Sequence, residues 1–170
     1  MYSKLKVLSN QIFNRFGLNI DTSVPVGEIQ DLLDLLKVID LSVPSVRIGS
    51  INDGGYVVPN VLDRIEYCFS FGVSDNCELE AQMADLGMKV FAIDGSIEML
   101  PSQNKNIHFT KKYIGRDHTS DYVDINEWVS GFIDNKGRLM FSMDIEEAEW
   151  ETILDLDSCI LDTVDLFVVE

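Results

Sequence analysis

The sequence predicts an α/β fold with a doubly wound, mostly parallel sheet, and three observations carry that expectation. Short apolar runs alternate with segments of helical period across short loops, as crossovers between parallel strands require. The stretch from Tyr67 to Asp94 has the form strand, glycine turn, helix, strand. Its second apolar run ends on an acid, Asp94, 22 residues beyond Gly72. A nucleotide-binding, Rossmann-like sheet places a carboxylate for the ribose hydroxyls at that position.

The elements follow in order. Leu5, Leu8, Ile12, Phe13 and Phe16 share one face of a helix over residues 2–16, which Gly17 ends. A loop over 18–25 leads to a second helix, Val26 to Leu41, with Ile29, Leu32, Leu33, Leu36 and Ile39 as its stripe. Residues 1–45 are thus a helical extension, and 46–170 the sheet domain. Asp53-Gly54-Gly55 is a turn signal between two apolar runs, Val46–Ile48 and Tyr56–Val58. It reads either as a plain hairpin or as a loop that folds over a ligand, with Asp53 and Tyr56 supplying polar and stacking contacts.

The core strands are expected at Tyr67–Phe71, Lys89–Ile93, Asn106–Thr110, Arg138–Met143 and Thr163–Val169. Helices are expected at Cys77–Leu86, at Val123–Phe132, at Ile145–Leu156 and, weakly, at Ile97–Leu100. Residues 115–121 read as loop and 135–137 as a turn. Ligands bind outside the carboxyl ends of such strands, so the chemistry is expected at Gly72–Asp75, Asp94, Tyr113–Gly115 and Asp144–Glu147.

Composition narrows the function. The 170 residues suit one sheet domain, and 46% hydrophobic residues can fill its core. The formal charge of −16, from 29 acids against 13 bases, argues against nucleic-acid and anionic-membrane partners. Cys68, Cys77 and Cys159 are odd in number and lack metal-ligand spacing, which fits a reducing, cytoplasmic setting and no structural metal. Cys68 reads as a small buried hydrophobe. No apolar stretch is long enough to span a bilayer, and no signal peptide is evident.

Ser142-Met-Asp-Ile-Glu-Glu-Ala-Glu-Trp150 resembles the Asp-Ile-Glu-Gly-Ala-Glu-Trp signature of FkbM-type methyltransferases, which depend on S-adenosylmethionine. Arg47–Tyr56 and Ser70–Asp75 look like two further landmarks of a subgroup of that family, in the expected order. The resemblance covers residues 47–170 and implies a class I methyltransferase sheet and O-methylation of a small molecule or a sugar hydroxyl. It places Phe71, Gly72, Val73 and Asp75 along the cofactor, with Gly54, Tyr56 and Asp53 over it. Asp94 would hold the ribose, and Asp144 and Glu146 are the candidate catalytic bases near the acceptor.

Three positions depart from the pattern. Ser70 stands where class I enzymes carry an acid, Ser74 replaces a glycine, and Glu147 replaces the glycine of the signature. The class I sheet also has seven strands, whereas this sequence reaches the fifth at Glu170. The resemblance therefore implies a C-terminally incomplete domain, either a fragment or a chain completed by another. The apolar edge Leu166–Val169 would then be exposed and open to self-association into a homo-oligomer.

Blander readings stand beside these. Asp144-x-x-Glu147 also fits a helix capping box, alone or combined with an active-site role. A metal held by Asp144, Glu146 and Glu147 is a third reading, awkward because adjacent helical side chains diverge. His108, Trp128 and Trp150 read as structural, and His118 as solvated. The alternative function is a non-catalytic remnant that keeps part of the pocket as an interaction module. A nicotinamide-dinucleotide reductase is weaker, because Gly72-Val-Ser-Asp-Asn-Cys77 lacks the second and third glycines of the pyrophosphate turn.

Overall fold

The computed structural model describes residues 26–170 apart from 36, 38, 53, 103, 117, 118, 134–136 and 147. The expected helix at 2–16, the loop at 18–25, Asp53, His118, Glu147 and most of the turn at 135–137 therefore lie outside the described residues. The chain divides into two compact units, Met1–Leu41 and Ser42–Glu170. The described element of the first is a helix, α1 (Val26–Leu35). It ends well short of the expected Leu41: Lys37 and residues 39–41 are not helical. The β-branched Ile39 loses side-chain freedom in a helix and is a poor residue with which to extend one.

The second unit opens with an antiparallel hairpin, β1 (Ser45–Gly49) and β2 (Gly55–Pro59). A short 3₁₀ turn at Leu62–Arg64 leads into the core. The strands β3 (Tyr67–Phe71), β4 (Lys89–Ile93), β5 (Ile107–Thr110), β8 (Leu139–Met143) and β9 (Val164–Val169) form one sheet in the order β5-β4-β3-β8-β9. Every pairing in it is parallel. The order reverses between β3 and β8, so the crevice of this Rossmann-like arrangement lies at their carboxyl ends.

Side chains alternate across the pleat and build two cores. On one face, Phe69, Phe71, Phe91 and Phe141 pack against Trp128 and Val129 of α3 (Ile125–Ser130), with Leu156 and Ile160. Phe69 and Phe71 meet Trp128 edge-on at 5.4 and 5.5 Å, the geometry that ring quadrupoles favour. Trp128 is thus a core residue, as its helical position predicts, and its indole N–H donates to Thr110 Oγ1 at 3.2 Å. On the other face, Cys68, Val90 and Met140 meet Leu79, Met83 and Ala84 of α2 (Glu78–Asp85), and Ile48 and Val58 of the hairpin. Helices therefore cover both faces, which is the doubly wound arrangement.

Several elements differ from the expected ones. No helix forms over Ile97–Leu100, where Ser96 is tied to Asp94 and Pro101 disfavours a helical residue before it. The segment expected as loop is flanked by a small two-stranded sheet, β6 (Tyr113–Ile114) with β7 (Tyr122–Val123). Val123 is therefore strand rather than helix, and α3 starts at Ile125. Its N-cap is Asp124, whose side chain accepts from the Asn126 and Glu127 amides at 2.9 and 3.1 Å. Replacing Asp124 by alanine is expected to cost about 1 kcal/mol. That lowers the melting temperature by about 2–4 °C, readable by circular dichroism.

The largest change is after β8. The helix expected from Ile145 starts only at Glu149, as α4 (Glu149–Asp155), followed by α5 (Ser158–Leu161). Glu146 sits at φ +56°, a left-handed conformation that an α-helix cannot contain. The capping-box reading falls with it, because Ala148 is the N-cap of α4 and Asp144 lies outside the first turn. The carboxylate that reaches back is Glu149, whose Oε1 accepts from the Ile145 amide at 2.7 Å. The shifted start also overturns the core reading of Trp150. Glu149 and Thr152 are buried on the inner face, whereas Trp150 is 67% exposed.

His108 stacks on Phe91 at 5.2 Å from the exposed face of edge strand β5. Along β9, Leu166 and Val168 are buried and Val169 is exposed. Its two faces are thus largely covered, and what β9 presents on the side away from β8 is backbone.

Candidate functional site

Two cavities meet at the carboxyl ends of β3, β4 and β8, divided by the turn that follows β3. The larger, about 450 Å³, is bounded by Gly72–Ser74, Asp94–Ser96, Lys112–Ile114, Tyr122 and Asp144–Glu146. The smaller, about 130 Å³, lies toward α2 and the hairpin, among Gly54, Tyr56, Ser70, Asp75, Glu80, Ser142 and Asp144. Gly72, Val73, Ser74 and Asp144 border both.

Gly72 makes the division possible. It sits at φ +78°, and a Cβ there would lie 1.8 Å from the Asp144 carbonyl oxygen. Two backbone bonds hold the strand tips at this point. The Gly72 amide donates to Ile93 O and the Asp144 amide to Phe71 O, both at 2.9 Å. Ser74 follows at φ +52°. Two non-glycine residues in the left-handed region, Ser74 and Glu146, thus line one cavity. Such strain concentrates where a ligand has to be approached closely.

Asp94 is buried and has four donors. Its Oδ2 accepts from the Val73 and Ser74 amides at 2.9 and 2.8 Å. Its Oδ1 accepts from the Ser96 amide at 2.7 Å and the Ser96 hydroxyl at 2.6 Å. Burial raises the carboxyl pKa, but the bonds from Ser96, Ser74 and Val73 outweigh it and hold it below the usual carboxylate range. A carboxylate has about four acceptor positions, and here all are taken from within the chain. Asp94 therefore clamps the Gly72–Ser74 turn onto β4, and a ribose diol could reach it only in exchange for Ser96.

The remaining expected residues divide. Val73 lines both cavities, while Gly54, Tyr56 and Asp75 line the smaller. The hairpin is thus both an ordinary antiparallel turn and a wall of the site, and Tyr56 also donates to Glu170 Oε2 at 2.8 Å. Phe71 lines neither cavity: its ring is fully buried against Trp128 and Phe141. The alternation of β3 forces this, since Ser70 and Phe71 must point to opposite faces. Asp144 and Glu146 are exposed at the cavity mouth. Among the described residues no cluster of acids, histidines or cysteines is arranged to hold a metal, and no helix is long and apolar enough to cross a membrane.

Three contributors escaped the sequence reading. Tyr122 walls the larger cavity with Tyr113, which lies in the expected tip Tyr113–Gly115, their ring centroids 5.4 Å apart. Ser96 ties up Asp94. Glu80 is 3% exposed, with its Oε1 accepting from Ser70 Oγ at 2.5 Å. Its burial raises the pKa, against which the Ser70 hydroxyl and the Glu80 backbone amide act. The signal for Glu80 was present: it stands three and four residues before Met83 and Ala84, on the buried stripe of α2.

A third cavity, about 540 Å³, opens beside the first and shares Ile114, Tyr122 and Ala148 with it. Arg116 and Asp155 form an ion pair in its wall, beside Glu151 and Thr152. No family model, no curated protein and no solved structure matches this chain.

Proposed function

We propose that this chain is an S-adenosylmethionine-dependent methyltransferase domain of the class I type, which methylates a hydroxyl of a small molecule or glycan. One observation carries the reading. The Gly72 turn ends β3, where the strand order reverses toward β8, Asp94 ends the adjacent parallel strand β4, and both border the same 450 Å³ cavity. Ligands of such sheets bind there, and the volume suits a nucleoside-sized ligand. The residues present fit the cofactor. Gly72 admits close approach, Tyr113, Ile114 and Tyr122 offer apolar walls for a base, and Asp94 stands at the ribose position.

When bound, the cofactor supplies an electrophilic methyl group on a sulfonium. The chain's part is to align an acceptor oxygen with it and to take the proton. Asp144, on the wall between the two cavities and facing the mouth, is the residue for that role, with Glu146 as the second candidate. The acceptor enters from the third cavity, whose wall of Glu151, Thr152 and the Arg116–Asp155 ion pair offers hydrogen-bonding groups that suit a polyhydroxylated molecule.

Calorimetric titration with S-adenosylhomocysteine tests the reading, with micromolar affinity expected. Absence of binding to a folded chain would overturn it. Ser96→Ala sharpens the test, because it frees one acceptor position on Asp94 Oδ1. The ligand is expected to bind this variant as tightly as the wild type or more tightly. A large loss of affinity would instead make Ser96 a ligand contact and remove the ribose from Asp94.

A further inference from the structure

We infer that β9 is a docking edge for a second copy of this chain, the two β9 strands pairing antiparallel about a twofold axis to make one continuous sheet. The proposal is independent of the methyltransferase reading. It starts from the direction of backbone groups. β9 ends the sheet order, with β8 as its neighbour among the described strands. The Glu170 amide donates to Met143 O on β8 at 3.1 Å. Amides alternate in direction along a strand, so Leu166 and Val168 also bond toward β8, as their register with Met140 and Ser142 requires. Phe167 and Val169 therefore turn both N–H and C=O away from β8, and no described backbone bond outside that ladder engages them.

The two edges of the sheet differ. β5 has four residues and runs directly into Lys111 and Lys112, and short length and lysines blunt an edge against pairing. β9 has six residues, Val-Asp-Leu-Phe-Val-Val, with no proline, glycine or lysine and with β-branched or aromatic side chains at four of them. A register shift at its start, opposite Leu139 and Met140, leaves Leu166–Val169 regularly paired.

The strand's own pattern selects a second copy as the occupant. A twofold axis perpendicular to the sheet keeps each side chain on its own face, so directly opposed residues share a face and the axis passes through a residue. With the axis at Phe167, Phe167 meets Phe167 of the second copy, Leu166 meets Val168 and Asp165 meets Val169. Apolar cross-strand pairs of this kind stabilise a sheet, and no acid faces an acid. Phe167 also falls at a hydrogen-bonded position, which matches its outward N–H and C=O. The acid within the strand, Asp165, is already engaged by Arg138, whose Nε donates to Oδ2 at 2.8 Å and whose Nη2 donates to Oδ1. The formal charge of −16 on each copy opposes association, so the dimer is weak and salt strengthens it.

Amide hydrogen exchange followed by NMR at rising protein concentration tests this without altering the chain. The Phe167 and Val169 amides are expected to gain protection with concentration, whereas those of Leu166 and Val168, bonded to β8, are protected throughout. Sedimentation under the same conditions is expected to show a dimer. A monomer at every concentration and salt overturns the proposal and leaves the edge to a different strand. So does a dimer in which Phe167 and Val169 exchange as fast as in the dilute chain. Val169→Pro is the second test, because it removes an outward N–H and leaves the β8 ladder intact. It is expected to raise the dimer dissociation constant at least about tenfold, since the twofold axis counts the loss twice. Val169→Thr keeps the N–H and is expected to dimerise as the wild type does. A V169P dimer as tight as the wild type sinks the idea, and if V169P does not fold, the exchange experiment decides alone.

Discussion

Replacing Gly72 by alanine is expected to lower the melting temperature by roughly 6–12 °C and to abolish binding at the candidate site. At φ +78° an L-residue carries a penalty of about 1–2 kcal/mol. The added Cβ would also sit 1.8 Å from Asp144 O, a backbone atom with no rotamer to escape into. The tips of β3 and β8 must then separate, straining the Asp144 N–H bond to Phe71 O. Together these effects amount to roughly 3 kcal/mol, which for a chain of this size is the shift stated. Thermal unfolding by circular dichroism measures the first effect and titration at low temperature the second. A variant that melts within 2 °C of the wild type, by this same scale, would show that the tips tolerate separation.

Asp94→Asn is expected to cost roughly 2–4 kcal/mol while conserving shape. The amide nitrogen must face either the Val73 and Ser74 amides or the Ser96 pair, so donors meet donors at one end or the other. The turn loosens, and S-adenosylhomocysteine affinity falls by about a hundredfold if the binding loss is near 3 kcal/mol. The pH dependence separates this effect from simple packing. Asp94 has a folded pKa below its ordinary value. Its stabilisation is therefore fully present above the unfolded value of about 3.9 and is lost as pH falls through the folded one. The difference in melting temperature between wild type and D94N should hold steady above about pH 5 and shrink below about pH 4. A gap that persists undiminished into acid would mean that the Asp94 charge is not what holds the turn.

Where sequence and structure agree, the reason is local. β3 and β4 have the boundaries that their apolar runs predict, because a run buried on both faces between turn residues has few alternatives. Asp94 sits at the tip of β4 because it is the first polar residue after that run. Where they differ, the cause is non-local. Ile145-Glu-Glu-Ala-Glu149 has good helix formers and follows an acid, Asp144, and by propensity it should be helical from its start. It is not, because Asp144 must pair with Phe71 and pass beside Gly72, which puts Glu146 in a left-handed conformation and delays the helix to Glu149. That delay turns Trp150 outward and buries Glu149.

The sequence by itself thus determined the parallel α/β class, the Gly72 turn and the acid one strand away, since each depends on residues close together in the chain. Tertiary structure alone decided what those residues do. Asp94 is a fully engaged clamp because Ser96 and the Gly72–Ser74 amides converge on it. Glu80 keeps one unsatisfied oxygen because Ser70 engages the other and no described residue reaches it. Both outcomes follow from counting donors against acceptors in a buried space, and that count exists only once distant segments have been packed together.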